Sequence, residues 1–284
     1  VTSTQPTIDR IPCLGPRGFH RIALARWQSP GAARPVLCVH GLTRNGRDFD
    51  DLAKRLATKG PVFAPDMAGR GKSDWLPSGA DYAYPLYIAD TAAIIAAIGA
   101  EEIDFVGTSM GGIIGMMLAA QPNSPIRRLI LNDVGGFIPK AALARIGTYV
   151  GRDPVFPTLA ALEAYLRGVA ASFGPLTDAQ WAHLTAYGHR ALETGGFGLA
   201  YDPAIGAAFQ VEPQDVTLWP VYDAIRCPTL VIRGSVSDLL TADTAAEMTT
   251  RGPKARVYEV AGVGHAPALM AEDQIAVIEG FLGA

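Results

Sequence analysis

The chain has 284 residues, 49% of them hydrophobic and 18% charged, with a formal net charge of −3. That supplies a core for one large domain, or one domain carrying an insertion, and argues against disorder. No basic block is present, so neither nucleic acid nor an anionic membrane surface is an expected partner.

In chain order, residues 1–10 are polar and lack the basic start and apolar centre of a signal peptide. Residues 19–26 are expected as a strand leading into a turn at Ser29-Pro30-Gly31. An apolar run at 36–39 is bounded by Pro35 and Gly41, and a shorter one follows at 62–64. The pattern returns at 103–106, 129–131 and 229–232, and in weaker form at 257–260. Runs this short, β-branched and flanked by turn residues fit strands buried on both faces, as in a parallel sheet. Between them, 49–57 puts Phe49, Leu52, Ala53 and Leu56 on one helical face. Residues 88–98 and 110–120 read as buried helices, and 274–282 as a closing one. The most apolar windows, 92–98 and 113–120, fall short of the roughly 20 residues that span a bilayer. Strand–helix alternation predicts an α/β fold with helices on both faces of the sheet. The alternation fails from 137 to 223, where helical patterns at 159–169 and 178–192 lie among many Pro, Gly and aromatic residues. That stretch is expected as a helical insertion, dividing the chain into a core of 1–136 and 224–284 and an inserted 137–223. Its aromatics, Tyr165, Phe173 and Trp181 among them, either line a pocket or pack the insertion's own core.

Three cysteines, Cys13, Cys38 and Cys227, are widely separated and form no C-x-x-C pair, so they read as buried free thiols. Their odd number fits a reducing, cytoplasmic setting.

The chemistry centres on Gly107-Thr108-Ser109-Met110-Gly111-Gly112. G-x-S-x-G between a strand and a helix lets the chain turn sharply and hold a serine on a strained backbone. A serine hydroxyl is a poor nucleophile unless a base sits within hydrogen-bond reach and a third group orients that base. Of five histidines, His265 is the expected base, in the flexible loop Gly262-Val263-Gly264-His265-Ala266-Pro267 after the last strand. His40 ends a strand before Gly41, where a backbone role is expected. His183 and His189 lack the i, i+4 spacing of a shared metal face, and no metal is expected. Two acids follow strands: Asp238, beyond 229–232, and Asp133, beyond 129–131. Both give the order Ser, Asp, His; Asp238 is favoured, and Asp133 reads as a turn residue bonding nearby amides. The developing oxyanion needs two donors, assigned to the amides of Met110 and Leu42. Arg44, near that loop, reads as a solvated arginine, with a substrate carboxylate as the alternative partner. Gly71-Lys72-Ser73 imitates the end of a phosphate-binding loop, but Asp66 stands where the first glycine belongs.

Taken together, His40-Gly41, Asp66-Met67-Ala68-Gly69-Arg70-Gly71-Lys72-Ser73, the Ser109 motif, Arg233-Gly234 with Asp238, and Gly264-His265 resemble, in order, the signature of the α/β-hydrolase superfamily. The resemblance covers nearly the whole chain. It implies a mostly parallel eight-stranded sheet, a Ser-His-Asp triad, no cofactor, and a helical cap formed by the insertion. The region 218–234 is similar to the return from cap to core in small esterases and C–C hydrolases. The serine excludes the aspartate nucleophile of epoxide hydrolases and haloalkane dehalogenases. Thr43-Arg44-Asn45 departs from the Gly-Pro-Gly loop of ring-cleavage enzymes. The expected activity is hydrolysis of a small carboxylic ester or lactone through an acyl-enzyme. The alternatives are C–C hydrolysis of a vinylogous diketone by the same residues, or a hydrolase-fold protein that only binds its ligand.

Overall fold

The structure is a computed structural model that describes residues 5–29 and 31–283. The strands and helices run β1 (Thr7–Gly15), β2 (Gly18–Trp27), β3 (Val36–Val39), α1 (Asp50–Leu56), β4 (Val62–Asp66), α2 (Tyr84–Ile98), β5 (Ile103–Thr108), α3 (Met110–Ala119) and β6 (Ile126–Asn132). Then come β7 (Phe137–Ile138), α4 (Lys140–Gly147), α5 (Leu159–Val169), α6 (Asp178–Gly188), β8 (His189–Ala191), β9 (Phe197–Leu199), β10 (Val216–Thr217) and α7 (Trp219–Ala224). The chain finishes with β11 (Thr229–Gly234), α8 (Ala242–Met248), β12 (Arg256–Val260) and α9 (Glu272–Phe281).

Eight strands form one sheet in the order β1-β2-β4-β3-β5-β6-β11-β12. From β4 to β12 every neighbouring pair is parallel, whereas β1 and β2 pair antiparallel with each other and β2 antiparallel with β4. The central runs are apolar throughout because both faces are covered. Val39, Phe105, Leu131 and Val231 pack on one side with α2, α3 and α8, and Cys38, Val106, Ile130 and Ile232 on the other with α1 and α9. Alternation within a continuous apolar run is what a doubly covered strand requires. The chain leaves β3 to one side for β4 and to the other for β5. At such a switch point a crevice opens at the carboxyl ends of the strands.

Two expectations are corrected. The helix expected over 178–192 ends at Gly188, because His189 turns extended and pairs with Leu199 in a short β8–β9 ribbon. Residues 7–15, of which 7–10 fall in the stretch read as polar and 11–15 carry no expected element, are a strand: β1 lies at the sheet edge with alternate residues exposed, so no apolar run marks it. The expected turn at 29–31 includes Pro30, which lies outside the described residues, as do residues 1–4. The stretch between β6 and β11 is mainly helical, and it leaves and rejoins the core through a clasp in which Ile138 pairs with Val216 and Phe137 with Thr217.

Cys13 and Cys38 are buried and Cys227 partly so, all as free thiols. Burial pushes the Cys227 thiol up to about 11. Among the described residues, no helix is long and apolar enough to cross a membrane.

Candidate active site

One residue joins β5 to α3, and it is Ser109. Its backbone sits at φ 51, ψ −113, a conformation that costs a non-glycine residue about 1–3 kcal/mol. Close packing around the turn holds it there. A Cβ on Gly111 would lie 2.0 Å from the Val39 carbonyl oxygen, and one on Gly107 would lie 2.4 Å from that of Gly111. Only glycine at both positions allows the start of α3 to press onto β3 and β5. Ser109 therefore projects at the carboxyl edge of the sheet, where its side chain makes no capping bond to the helix.

His265 meets it. Nε2 of the ring lies 2.9 Å from Ser109 Oγ, and Nδ1 lies 2.8 Å from a carboxylate oxygen of Asp133. The favoured acid, Asp238, is not the one in contact. It sits four residues past the end of β11, is about half exposed, and takes Arg145 Nε at 2.5 Å and Nη2 at 2.9 Å. Asp133 comes directly off β6, the strand beside β5, and is fully buried. Its φ of 56 turns the chain so that the carboxylate also accepts the Gly234 amide at 2.8 Å and the Ser237 hydroxyl. The turn-residue reading of Asp133 was thus half of its role: it binds a neighbouring amide and the histidine together. The sequence signal was its place flush with the end of a strand adjacent to the serine's own.

The loop bearing His265 is tied on two sides. Asn132 Nδ2 donates to the Pro267 carbonyl at 2.8 Å, and Ser172, from the insertion, donates its hydroxyl to the His265 carbonyl at 2.7 Å. These bonds fix the ring over the serine from both the sheet and the inserted stretch.

Leu42 lines the same cavity as Ser109. The carbonyl of the Gly41–Leu42 peptide accepts His40 Nδ1 at 2.7 Å and the Arg44 amide at 3.1 Å. In a trans peptide the N–H points opposite to the carbonyl, so the Leu42 amide is turned away from those partners. Met110 is the first residue of α3, so its amide has no carbonyl one turn earlier to bind.

Two buried side chains that sequence reasoning left unassigned or half-assigned hold this loop. Arg70 is fully buried among neutral partners: it donates to the carbonyls of Leu42 (2.8 Å) and Ala68 (2.7 Å) and to the Tyr87 hydroxyl (2.8 Å), with Nη2 3.6 Å from Met110 Sδ. It thus touches both Leu42 and Met110, the residues whose amides are assigned to the oxyanion. Replacing Arg70 with methionine leaves two carbonyls unpaired, each worth about 1–3 kcal/mol, and loosens the Leu42 peptide. The expected result is a lower melting temperature and a kcat reduced about tenfold or more, with KM changing less; wild-type kcat would refute the bracing role.

His40 bridges the loop to the strand-end segment, since Nδ1 donates to Gly41 and Nε2 accepts the Met67 amide at 2.9 Å. Burial holds its pKa down at about 3 against an ordinary 6.5. Above 6.5 the ring is neutral in both folded and unfolded chains. Between 6.5 and about 3 only the unfolded chain takes the proton, so this residue's contribution to stability falls as pH falls through that window. Urea midpoints at pH 7 and pH 4.5 should therefore differ less in His40→Gln than in the wild type.

The Gly71-Lys72-Ser73 segment is no phosphate loop. Asp66 accepts the Gly46 and Lys72 amides, each at 2.8 Å, and ties the segment to the loop after β3. Above Ser109 lies a cavity whose walls come largely from the insertion, including Ile146, Tyr149, Tyr165, Val169 and Phe173. Of the aromatics expected there, Tyr165 and Phe173 face the cavity, while Trp181 is buried in the core. Arg44 also lines it, but is not solvated: its side chain is 13% exposed and Asp48 takes Nε at 2.7 Å and Nη2 at 2.6 Å.

Several known proteins are similar to this chain over most of its length. Across 98% of both chains it is 42% identical to a protein of Cupriavidus necator named 3-hydroxybutyrate-oligomer hydrolase. It is 27% identical to 2-(acetamidomethylene)succinate hydrolase of Mesorhizobium japonicum, over 83% of this chain and 82% of that one. The crystal structure of an alpha/beta hydrolase from Novosphingobium aromaticivorans superposes with a TM-score of 0.87 at 35% identity, covering 97% of this chain and 98% of the other. The model of the alpha/beta hydrolase family matches residues 36–278, from β3 into α9. A match that spans six of the sheet's eight strands, the serine turn and the histidine loop together makes this chain a member of the alpha/beta hydrolase family.

Proposed function

We propose that the protein is a serine hydrolase that cleaves a small carboxylic ester through an acyl-enzyme, with residues 137–223 acting as a cap over the site. The observation that carries this reading is the continuous row from Asp133 through His265 to Ser109, with contacts of 2.8 and 2.9 Å. Ser109 Oγ attacks the ester carbonyl as His265 Nε2 takes its proton. Asp133, bound at Nδ1, holds the ring in the correct tautomer and stabilises the imidazolium. The amides of Met110 and Leu42 receive the oxyanion. Collapse expels the alcohol, which leaves with the proton from Nε2. Water, activated by the same ring, then attacks the acyl-enzyme, and Ser109 departs as the acid is released. His265 thus carries each proton transfer, with Ser109 the nucleophile of the first half-reaction and water that of the second.

The substrate class this supports is a short oligoester of a hydroxy acid. That reading leans on the name of the Cupriavidus necator relative, which matches end to end at 42% identity. The test is direct. A fluorophosphonate probe should label Ser109, and the protein should hydrolyse 4-nitrophenyl butyrate and the linear dimer of 3-hydroxybutyrate. Failure to label Ser109 in folded protein, or fast decay of a ring-fission diketone alongside slow ester cleavage, would overturn the proposal.

A further inference from the structure

We propose that the guanidinium of Arg145, together with the Tyr149 hydroxyl, binds a free carboxylate on the leaving-group side of the ester. The protein would then select esters whose alcohol portion is itself a hydroxy acid. The inference rests on the ester-hydrolase reading above and adds to it the group that reads the substrate's charge.

Arg145 lies on α4 and faces the cavity that contains Ser109 and His265. Ile146, Val150, Leu166 and Val169 make much of the surrounding wall apolar, so a guanidinium there is conspicuous. Asp238 grips its Nε and Nη2 edge and fixes its plane. Tyr149, four residues on, lines the same cavity as Arg145. A cation held in plane by one carboxylate is pre-oriented to accept a second.

The chemistry fixes the side. The departing alcohol must take its proton from His265 Nε2, so that portion of the substrate lies beside the ring. Arg145 and His265 line the same cavity, and Asp238 is in contact with Arg145. A short β-hydroxy acid keeps its carboxylate within a few ångströms of its ester oxygen, which brings the anion to Arg145. Arg44 is the rival guanidinium: it lines the same cavity from the loop after β3, where Asp48 takes its Nε and Nη2. The Arg145 side chain is 42% exposed, so the site is partly wet and its effect is selectivity rather than very tight binding.

The experiment compares kcat/KM for the linear dimer of 3-hydroxybutyrate and for its methyl ester, which lacks the charge. The wild type should prefer the free acid by about 10- to 100-fold, the range for a hydrogen bond to a charged group. Arg145→Met should bring the ratio to within about threefold of one, and Tyr149→Phe should lower it part of the way. Arg44→Met, whatever it does to the rate, should keep the ratio. A wild-type ratio near one overturns the proposal, as does an equal loss on both substrates in Arg145→Met, or collapse of the ratio in Arg44→Met instead. Should Arg145→Met fail to fold, the wild-type ratio decides, together with inhibition by 3-hydroxybutyrate set against inhibition by its methyl ester. Rapid cleavage of the methyl ester and of 4-nitrophenyl butyrate without preference for the acid removes the carboxylate subsite alone. Cleavage of none of these esters removes the esterase reading with it.

Discussion

Ser109→Ala is expected to lower kcat on 4-nitrophenyl butyrate by about 10⁴- to 10⁶-fold, the scale on which removal of a triad nucleophile acts. The fold should survive. The serine side chain makes no capping bond, and its contact is the histidine ring at the cavity floor. Alanine keeps the strained φ of 51 at no greater steric cost, because the conformation is imposed by the close approach of Gly107 and Gly111. Melting temperature should therefore move by no more than a few degrees, while substrate still binds in an unaltered cavity. Wild-type turnover in this variant would remove the acyl-enzyme from consideration.

The second large effect separates the two acids. Asp133→Asn should cost about 10³- to 10⁴-fold in kcat. An amide nitrogen facing His265 Nδ1 favours the tautomer that places the proton on Nε2, where it blocks the base. The variant should also lose about 1–3 kcal/mol, since the nitrogen that faces the ring replaces the oxygen that accepted the Ser237 hydroxyl. Asp238→Asn breaks a partly exposed ion pair with Arg145, worth about 0–1 kcal/mol, and should cost only a few-fold on the same neutral ester. Measured side by side, a greater loss at Asp238 would reverse the assignment of the acid.

Most of the sheet could be read from the sequence because its central strands are doubly buried and short: 36–39 and 229–232 announce themselves by composition. β1 could not, since an edge strand with alternately exposed residues looks like any polar segment. The serine and histidine were legible because each is flanked by glycines that the local geometry needs. The choice of acid was not. Both aspartates follow strands, and what separates them is the distance each loop carries its carboxylate from the strand end, together with the presence of Arg145 to claim Asp238. That arginine arrives from a helix whose orientation depends on packing of the whole insertion, a long-range outcome no local spacing encodes. Arg70 was visible only as one letter of a motif. Its burial against Leu42 and Met110 emerges from folding alone.

The two-rung clasp between Phe137–Ile138 and Val216–Thr217 has a consequence for descent. With departure and return pinned side by side, the length of chain between them enters folding cost only logarithmically, about 0.6 kcal/mol per doubling. Lineages are free to trade, lengthen or trim that stretch and so acquire new appetites without rebuilding the machinery beneath. One thread limits the freedom: any replacement must still offer something in the place of Ser172 to steady the histidine loop.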